Sequence, residues 1–297
     1  MCQTLEMRTE ARKDAELTPL HDRLSPATAI SSDKTERKVF PIIAIFRICN
    51  EPTDMKRYPD IFFDWDDTLY DTQGNSVIAL RKLYDERHWE KIMPPFEVFD
   101  KAYVDTNVEV WSKYTAGEMD RDTLIVERFR KPVTEMVEER GGDISWITPE
   151  ACLEMSDRYG DLISRESRTV DGARELVENL IGKGYRLHIC SNGFHEVQYR
   201  KLRSSGLEKY FSTVVLSEDA GINKPRKEFF DYAFSKTGAV PGGTVMVGDN
   251  YATDMAGAMN AGLDTIFFNK WRISLTDGMK KPTFTVDRLM EINDILV

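Results

Sequence analysis

The sequence predicts an α/β protein, a Rossmann-like three-layer core with a parallel sheet, into which an all-helical segment is inserted. Three observations carry this. From Thr169 onward, helical periodicity alternates with short apolar runs, the mark of strands joined by crossover helices. Between residues 75 and 165 helical periodicity repeats with no strand candidate. Before that, the apolar run Ile61-Phe62-Phe63 stops abruptly at Asp64, Asp66 and Asp67, as a strand does when its end carries chemistry.

With 297 residues, 41% of them hydrophobic, the chain can form one large domain or a core plus a smaller insert. Residues 55–74 and 166–297 are expected to form the core, and residues 75–165 the insert. Met1 to Lys38 is charged, mixed and almost free of aromatic residues, so residues 1–54 are expected to be a disordered extension. The short apolar stretch Val39 to Phe46 lies too far from Met1 for a usual signal peptide. It reads as sequence upstream of a start at Met55 rather than as a membrane or partner anchor.

The first strand leads into helices marked by the stripe Val77, Leu80, Leu83 and Tyr84, then by Phe96, Phe99, Tyr103 and Val110. Two more are expected over 123–139 and 149–166, divided by Pro94-Pro95, Ala116-Gly117 and Gly141-Gly142. The aromatics Tyr103, Trp111, Tyr114 and Phe129 could stack on a flat ring, but at helical spacing packing is the ordinary use. Asp171 is expected to cap the next helix, followed by a strand from Tyr185 to Cys190, a helix over 195–204 and a strand from Thr213 to Leu216. A helix over 226–236, strands at 244–248, 264–268 and 283–286 and a closing helix complete the pattern.

The chemistry gathers where strands end. In a strand successive side chains alternate, so Asp64 and Asp66 share one side and Trp65 and Asp67 the other. Neighbouring carboxylates repel unless a cation lies between them, and hard oxygen ligands suit Mg²⁺. Ser191, followed by Asn192-Gly193, can offer O–H and N–H donors to an anion. Lys224 is a compact charge suited to phosphate and to crowded carboxylates, with Pro225 fixing the helix start. Asp249 can supply a further metal oxygen, and Asp254 can orient metal-bound water or Lys224. His188 and His195 read as packing or surface residues.

Asp64-Trp65-Asp66-Asp67-Thr68 resembles the Asp-x-Asp-x-Thr nucleophile motif of the haloacid dehalogenase superfamily. Ser191-Asn192-Gly193-Phe194 resembles its second motif, Lys224-Pro225 its third, and Gly248-Asp249 with Asp254 its fourth, in the correct order across Met55 to Val297. The resemblance implies Asp64 as nucleophile, Asp66 as acid and base, and Ser191, Asn192 and Lys224 on the phosphate. It also implies Mg²⁺ on Asp64, Asp66 and Asp249, supported by Thr68 and Asp254, with the insert as a helical cap that selects the substrate. Val215 to Gly221, Ser191 to Phe194 and Tyr114 to Glu118 look most like the bacterial 5'-nucleotidases acting on pyrimidine and non-standard nucleotides.

The expected function is therefore a Mg²⁺-dependent phosphatase for a small phosphorylated metabolite, a nucleoside 5'-monophosphate first, with phosphoglycolate or a sugar phosphate as the alternative. A dehalogenase has no use for the acid Asp66. A phosphomutase would have to shield its aspartyl-phosphate from water, and a receiver-like module needs neither Asp66 nor a large insert. The net charge of −10 and pI of about 5.1 disfavour a groove for a nucleic-acid polymer. Cys2, Cys49, Cys152 and Cys190 show no metal spacing, which fits reduced thiols in a cytoplasmic protein. No apolar run is long enough for a membrane span, and a monomer or homodimer is expected.

Overall fold

The structure, a computed structural model, describes residues 58–297, so the expectation for residues 1–54 lies outside the described residues. Strand β1 (Asp60–Phe63) is buried along its whole length, because it lies between two strands and beneath helices on both faces. Parallel neighbours β2 (Arg186–Ser191) and β4 (Thr244–Gly248) pair with it on either side. With β3 (Phe211–Leu216), β5 (Asp264–Phe268) and β6 (Phe284–Val286) they form one six-stranded parallel sheet in the order β3-β2-β1-β4-β5-β6. The chain leaves β1 toward β2 and β3 and later returns to β4 on the other side. Such a switch point opens a crevice at the carboxyl ends of the strands.

One face of the sheet buries Ile61, Phe63, Leu187, Val245 and Val247, covered by α5 (Ala173–Gly182). The other buries Phe62, Cys190 and Met246 under Phe229 and Phe230 of α8 (Lys227–Thr237). Alternation along β1 thus sends Phe62 and its neighbours Ile61 and Phe63 to opposite cores. Between them in sequence lie α6 (His195–Ser205) and the single turn α7 (Ser217–Ala220). A wide turn at Tyr251–Met255 runs into α9 (Ala256–Asn260), and α10 (Ile292–Ile295) closes the chain.

The insert is helical throughout. Helix α1 (Thr72–Glu86) is capped by Asp71, whose carboxylate accepts from the Gly74 N–H at 3.0 Å. Helix α2 (Phe96–Ala116) stops at Gly117, which takes φ 78°. Helix α3 (Arg121–Glu139) is capped by Asp120, and α4 (Pro149–Ile163) by Thr148 with Pro149 in its first turn. These four bury a core of their own, built on Leu80, Tyr103, Phe129, Val133 and Met155. Tyr103 and Phe129 therefore belong to packing, as their spacing suggested. Trp111 and Tyr114 instead pack on Phe194, which follows β2.

The strand expected from Thr213 begins two residues earlier, at Phe211, the helix expected over 149–166 ends at Ile163, and one cap differs from the sequence reading. The helix expected to be capped by Asp171 begins at Ala173 behind Gly172, which sits at φ 76° without a side-chain cap bond. The left-handed turn there is one that glycine adopts at no steric cost, so the carboxylate is not needed. Among the described residues no helix is long and apolar enough to cross a membrane.

Candidate active site

β1, β2 and β4 end side by side, and the residues that follow them meet. Asp64 is held in line with β4 by its N–H donating to the Val247 carbonyl at 2.8 Å. Its carboxylate accepts from Lys224 Nζ at 2.8 Å and from Thr68 Oγ1 at 3.1 Å. Asp67 takes φ 61°, which folds the chain back after β1 so that Thr68 reaches under Asp64 and Asp249. The Asp249 N–H donates to that same hydroxyl at 3.0 Å.

Lys224 is 1% exposed and spends its three protons on Asp64, on Asp254 at 2.7 Å and on the Cys190 carbonyl at 2.7 Å. Burial disfavours its charge, but Asp254 and Asp64 outweigh that, and its pKa is raised. Sequence reasoning offered Lys224 both to phosphate and to crowded carboxylates; the structure gives two of its donors to Asp64 and Asp254 and the third to a carbonyl. Asn192 sets its position, accepting from the Lys224 N–H at 2.9 Å and donating to its carbonyl at 3.0 Å. The Asn192 side chain is therefore a strut between the second and third motifs.

Burial pushes the Asp64 carboxyl up to about 7, with Lys224 opposing and Asp254 adding to the rise. Asp249 is raised well above the ordinary carboxylate range by burial and then by Asp67 and Asp64. Burial leads both shifts, and the neighbouring carboxylates add to it against the opposing charges of Lys224 and Lys270. Asp64, Asp249 and Asp254 each present an oxygen, all within 4.8 Å of one another. An all-oxygen, electron-rich set short of positive charge fits a hard divalent cation. The Asp66 carboxylate, expected among the ligands, is not in this set, whereas Asp254, expected only in support, is.

Asp66 is engaged elsewhere. Its oxygens accept from Thr72 Oγ1 at 2.6 Å, Lys201 Nζ at 2.7 Å and Gln198 Nε2 at 2.6 Å. Burial would raise its pKa, but the Lys201 charge and these donors together hold it below the usual value. Gln198 also donates to Ser191 Oγ at 2.7 Å, and the Gly193 N–H donates to the same oxygen at 3.0 Å. Receiving two donors, the Ser191 hydroxyl keeps its own proton to offer outward. Gly193 has no room for a side chain: a Cβ there would lie 2.1 Å from Gln198 Nε2.

Thr72, Gln198 and Lys201 were not singled out in the sequence. For two of them a signal existed, since Gln198 and Lys201 stand three apart at the start of the helix that follows Ser191, and so share a face. Lys270 and Trp271 beyond β5 were also missed: Lys270 contacts Asp67, and Trp271 Nε1 lies 3.4 Å from Asp249 Oδ2.

A cavity of about 480 Å³ opens from Asp66 and Lys201 toward the insert, where Asn107, Trp111, Arg128 and Tyr159 line it. The Asp66 carboxylate and the insert thus border one space of the size small ligands occupy.

Comparison with known proteins agrees with this geometry. The haloacid dehalogenase-like hydrolase family model matches residues 61–262. The HAD-hydrolase YfnB of Bacillus subtilis is 31% identical over 82% of this chain and 97% of its own. Its structure, described as bound to magnesium and as revealing interdomain movement, aligns with TM-score 0.69 over 81% of this chain and 99% of that one. Pyrimidine 5'-nucleotidase PynA of Streptococcus pneumoniae is 27% identical over 80% of this chain and 95% of its own. N-acylneuraminate-9-phosphatase of Homo sapiens is 29% identical over 82% of this chain and 95% of its own. An Asp-x-Asp-x-Thr turn after a central strand, a lysine bridging two carboxylates and a match over most of the chain lead to one conclusion: this chain is an enzyme of the haloacid dehalogenase-like hydrolase family.

Proposed function

We propose that the enzyme is a Mg²⁺-dependent phosphomonoesterase whose preferred substrates are nucleoside 5'-monophosphates, pyrimidine ones foremost. The observation that carries the reading is Asp66, a second carboxylate two residues beyond the nucleophile, lying in the wall of the cavity that opens toward the insert. A displacement at phosphorus needs such a group to protonate a leaving alkoxide, whereas displacement of halide from carbon does not.

In this mechanism an Asp64 carboxylate oxygen attacks phosphorus in line, and the bond from phosphorus to the ester oxygen breaks. Lys224 and Thr68 hold that carboxylate in place before the substrate arrives. Asp66, ionised before the substrate arrives, takes up the proton brought in by the phosphate monoanion and passes it to the departing oxygen, then regains one from the water that cleaves the aspartyl-phosphate. The Ser191 hydroxyl and the Asn192 main-chain N–H donate to the phosphoryl oxygens. Asp64, Asp249 and Asp254 would hold the Mg²⁺, which supplies positive charge next to the phosphoryl group. The helices from Thr72 to Ile163 act as the cap, bounding the cavity opposite Asp66 and selecting the substrate.

The pyrimidine preference takes its support from the nucleotidase relatives and from the cavity, whose Trp111 ring stacks on Phe194 at 5.1 Å and whose volume accommodates a base with its ribose. The deciding experiment is phosphate release with Mg²⁺ from UMP, dUMP, dTMP, ribose 5-phosphate, a hexose phosphate and phosphoglycolate, compared as kcat/KM. The nucleotides should lead. An advantage of about tenfold, or 1.4 kcal/mol of transition-state preference, for a sugar phosphate or phosphoglycolate would sink the nucleotidase reading and leave the phosphatase reading standing.

A further inference from the structure

Four cationic side chains line the cavity, and three of them are paired. Arg121 Nε lies 2.9 Å from Glu218, Arg200 lies 3.5 Å from Asp161, and Lys201 lies 2.7 Å from Asp66. Arg128 on α3 is the exception: only 8% exposed, it has no carboxylate within ion-pair distance among the described residues. Its Nε and Nη2 donate to Oγ and the carbonyl of Ser156, each at 3.1 Å. The Ser156 hydroxyl donates in turn to the Ile125 carbonyl, and the guanidinium lies 5.1 Å from the Tyr159 ring. These contacts fix the plane of the guanidinium without neutralising it. A buried charge held rigid and left without a counter-charge costs stability, and a site that meets a ligand is where such a cost is repaid. A second unpartnered group lies nearby in the fold. Asn107, on the neighbouring helix α2, lines the same cavity, and its buried Oδ1 has no hydrogen-bond partner.

We propose that Arg128 and Asn107 determine specificity by reading the end of the substrate remote from the phosphate, Arg128 taking an acceptor oxygen and Asn107 a polar hydrogen beside it. This rests on the phosphatase reading above and gives its cap a chemistry. The imide edge of uracil or thymine carries such an oxygen next to an N–H. The carboxylate of an acidic N-acyl sugar, with the polar hydrogens around it, presents the same chemistry. Ribose 5-phosphate has no carbonyl or carboxylate oxygen in its ring form.

The test measures kcat and KM for UMP, N-acylneuraminate 9-phosphate and ribose 5-phosphate in the wild type, Arg128→Lys, Arg128→Gln and Asn107→Leu. A hydrogen bond to a charged donor implies that the UMP to ribose 5-phosphate ratio of kcat/KM falls roughly 10- to 100-fold in Arg128→Gln. It should fall also in Arg128→Lys, since an ammonium cannot reproduce the planar fork. Asn107→Leu should lower the same ratio less. If Arg128→Gln fails to fold, the lysine and Asn107 variants carry the test. Equal losses on UMP and ribose 5-phosphate would mark Arg128 as structural and overturn the inference while the nucleotidase reading stands. If the acidic sugar phosphate is the substrate whose advantage depends on Arg128, the oxygen recognition holds and the nucleotide assignment falls. A wild type that favours neither substrate over ribose 5-phosphate overturns both.

Discussion

The carboxyl end of the sheet and the cavity under the insert are adjacent, yet they treat charge in opposite ways. At the sheet, Lys224 is saturated by Asp64, Asp254 and a carbonyl, and Asp66 by Thr72, Gln198 and Lys201. In the cavity wall, Arg128 and Asn107 have groups to spare. The difference separates two tasks. Groups that perform chemistry must be in place before the substrate arrives, because reorganising them during the reaction would add to the barrier. Groups that choose a substrate must keep bonding capacity for it.

Asp64→Asn tests the first half with the largest effect. The amide keeps the shape but cannot attack phosphorus, so kcat should fall by roughly 10⁴-fold or more, as it does when a catalytic nucleophile is removed. The melting temperature should stay close to that of the wild type. Comparable turnover in the two proteins would remove Asp64 from the mechanism.

Lys224→Met comes next and is read in stability. It leaves two carboxylates facing each other inside the protein, and breaking a buried pair by removing one partner costs about 3–5 kcal/mol. Denaturant unfolding should show that loss, and Mg²⁺ should restore part of it if the cation is held by Asp64, Asp249 and Asp254. A loss below about 1 kcal/mol, the range of exposed ion pairs, would contradict the buried arrangement.

The second half of the comparison is tested by Trp111→Ala, which removes the ring stacked on Phe194 without touching a reacting group. Loss of the substrate's contact with that ring is worth on the order of 1 kcal/mol, so KM for UMP should rise about fivefold. The value of kcat for an aryl phosphate should hardly change. A fall in kcat equal to that of Asp64→Asn would mean that the insert and the catalytic end cannot be separated.

The two regions were also unequally legible. Asp64, Asp66, Ser191, Lys224 and Asp249 stand at strand ends or helix starts, positions that apolar runs and breakers reveal, and short motifs fix their spacing. The sheet was legible for the same reason, because strands buried on both faces read as continuous apolar runs. Lys201 and Gln198 were harder, since a polar residue on a helix is ordinarily solvated and only the packing of α6 beside Asp66 turns these two inward. Arg128 was harder still. Nothing in Glu127-Arg128-Phe129 distinguishes a buried arginine from a surface one until α3 and α4 close over it. Which of Asp66 and Asp254 joins the acidic cluster depended on the reversal at Asp67, which alternation along a strand does not foresee.

The smallest expected effect lies deeper in the sheet, beside Asp60 at the start of β1, and serves as a control for both regions. His188 in β2 is 1% exposed, with Nε2 3.1 Å from Asp60 and a buried Nδ1 that has no hydrogen-bond partner. Burial lowers its pKa below the ordinary 6.5, with Asp60 only partly opposing and Arg186 adding to the fall. The folded protein therefore holds the imidazole neutral while the unfolded chain protonates more readily. Stability is full above about pH 6.5 and declines as pH falls below it, because protons bind the unfolded state in preference. Asp64, with its carboxyl raised to about 7, works in the other direction and favours the fold as pH falls. The His188 contribution is thus to be read as the difference between melting curves of the wild type and His188→Gln, taken from about pH 8 to about pH 5, across the range where imidazole titrates. The wild type should lose ground to the variant on the acid side by less than the Lys224 substitution costs, with kcat/KM for UMP alike in the two at pH 8. A difference that ran the other way would mean that Asp60 favours the imidazolium more than burial disfavours it.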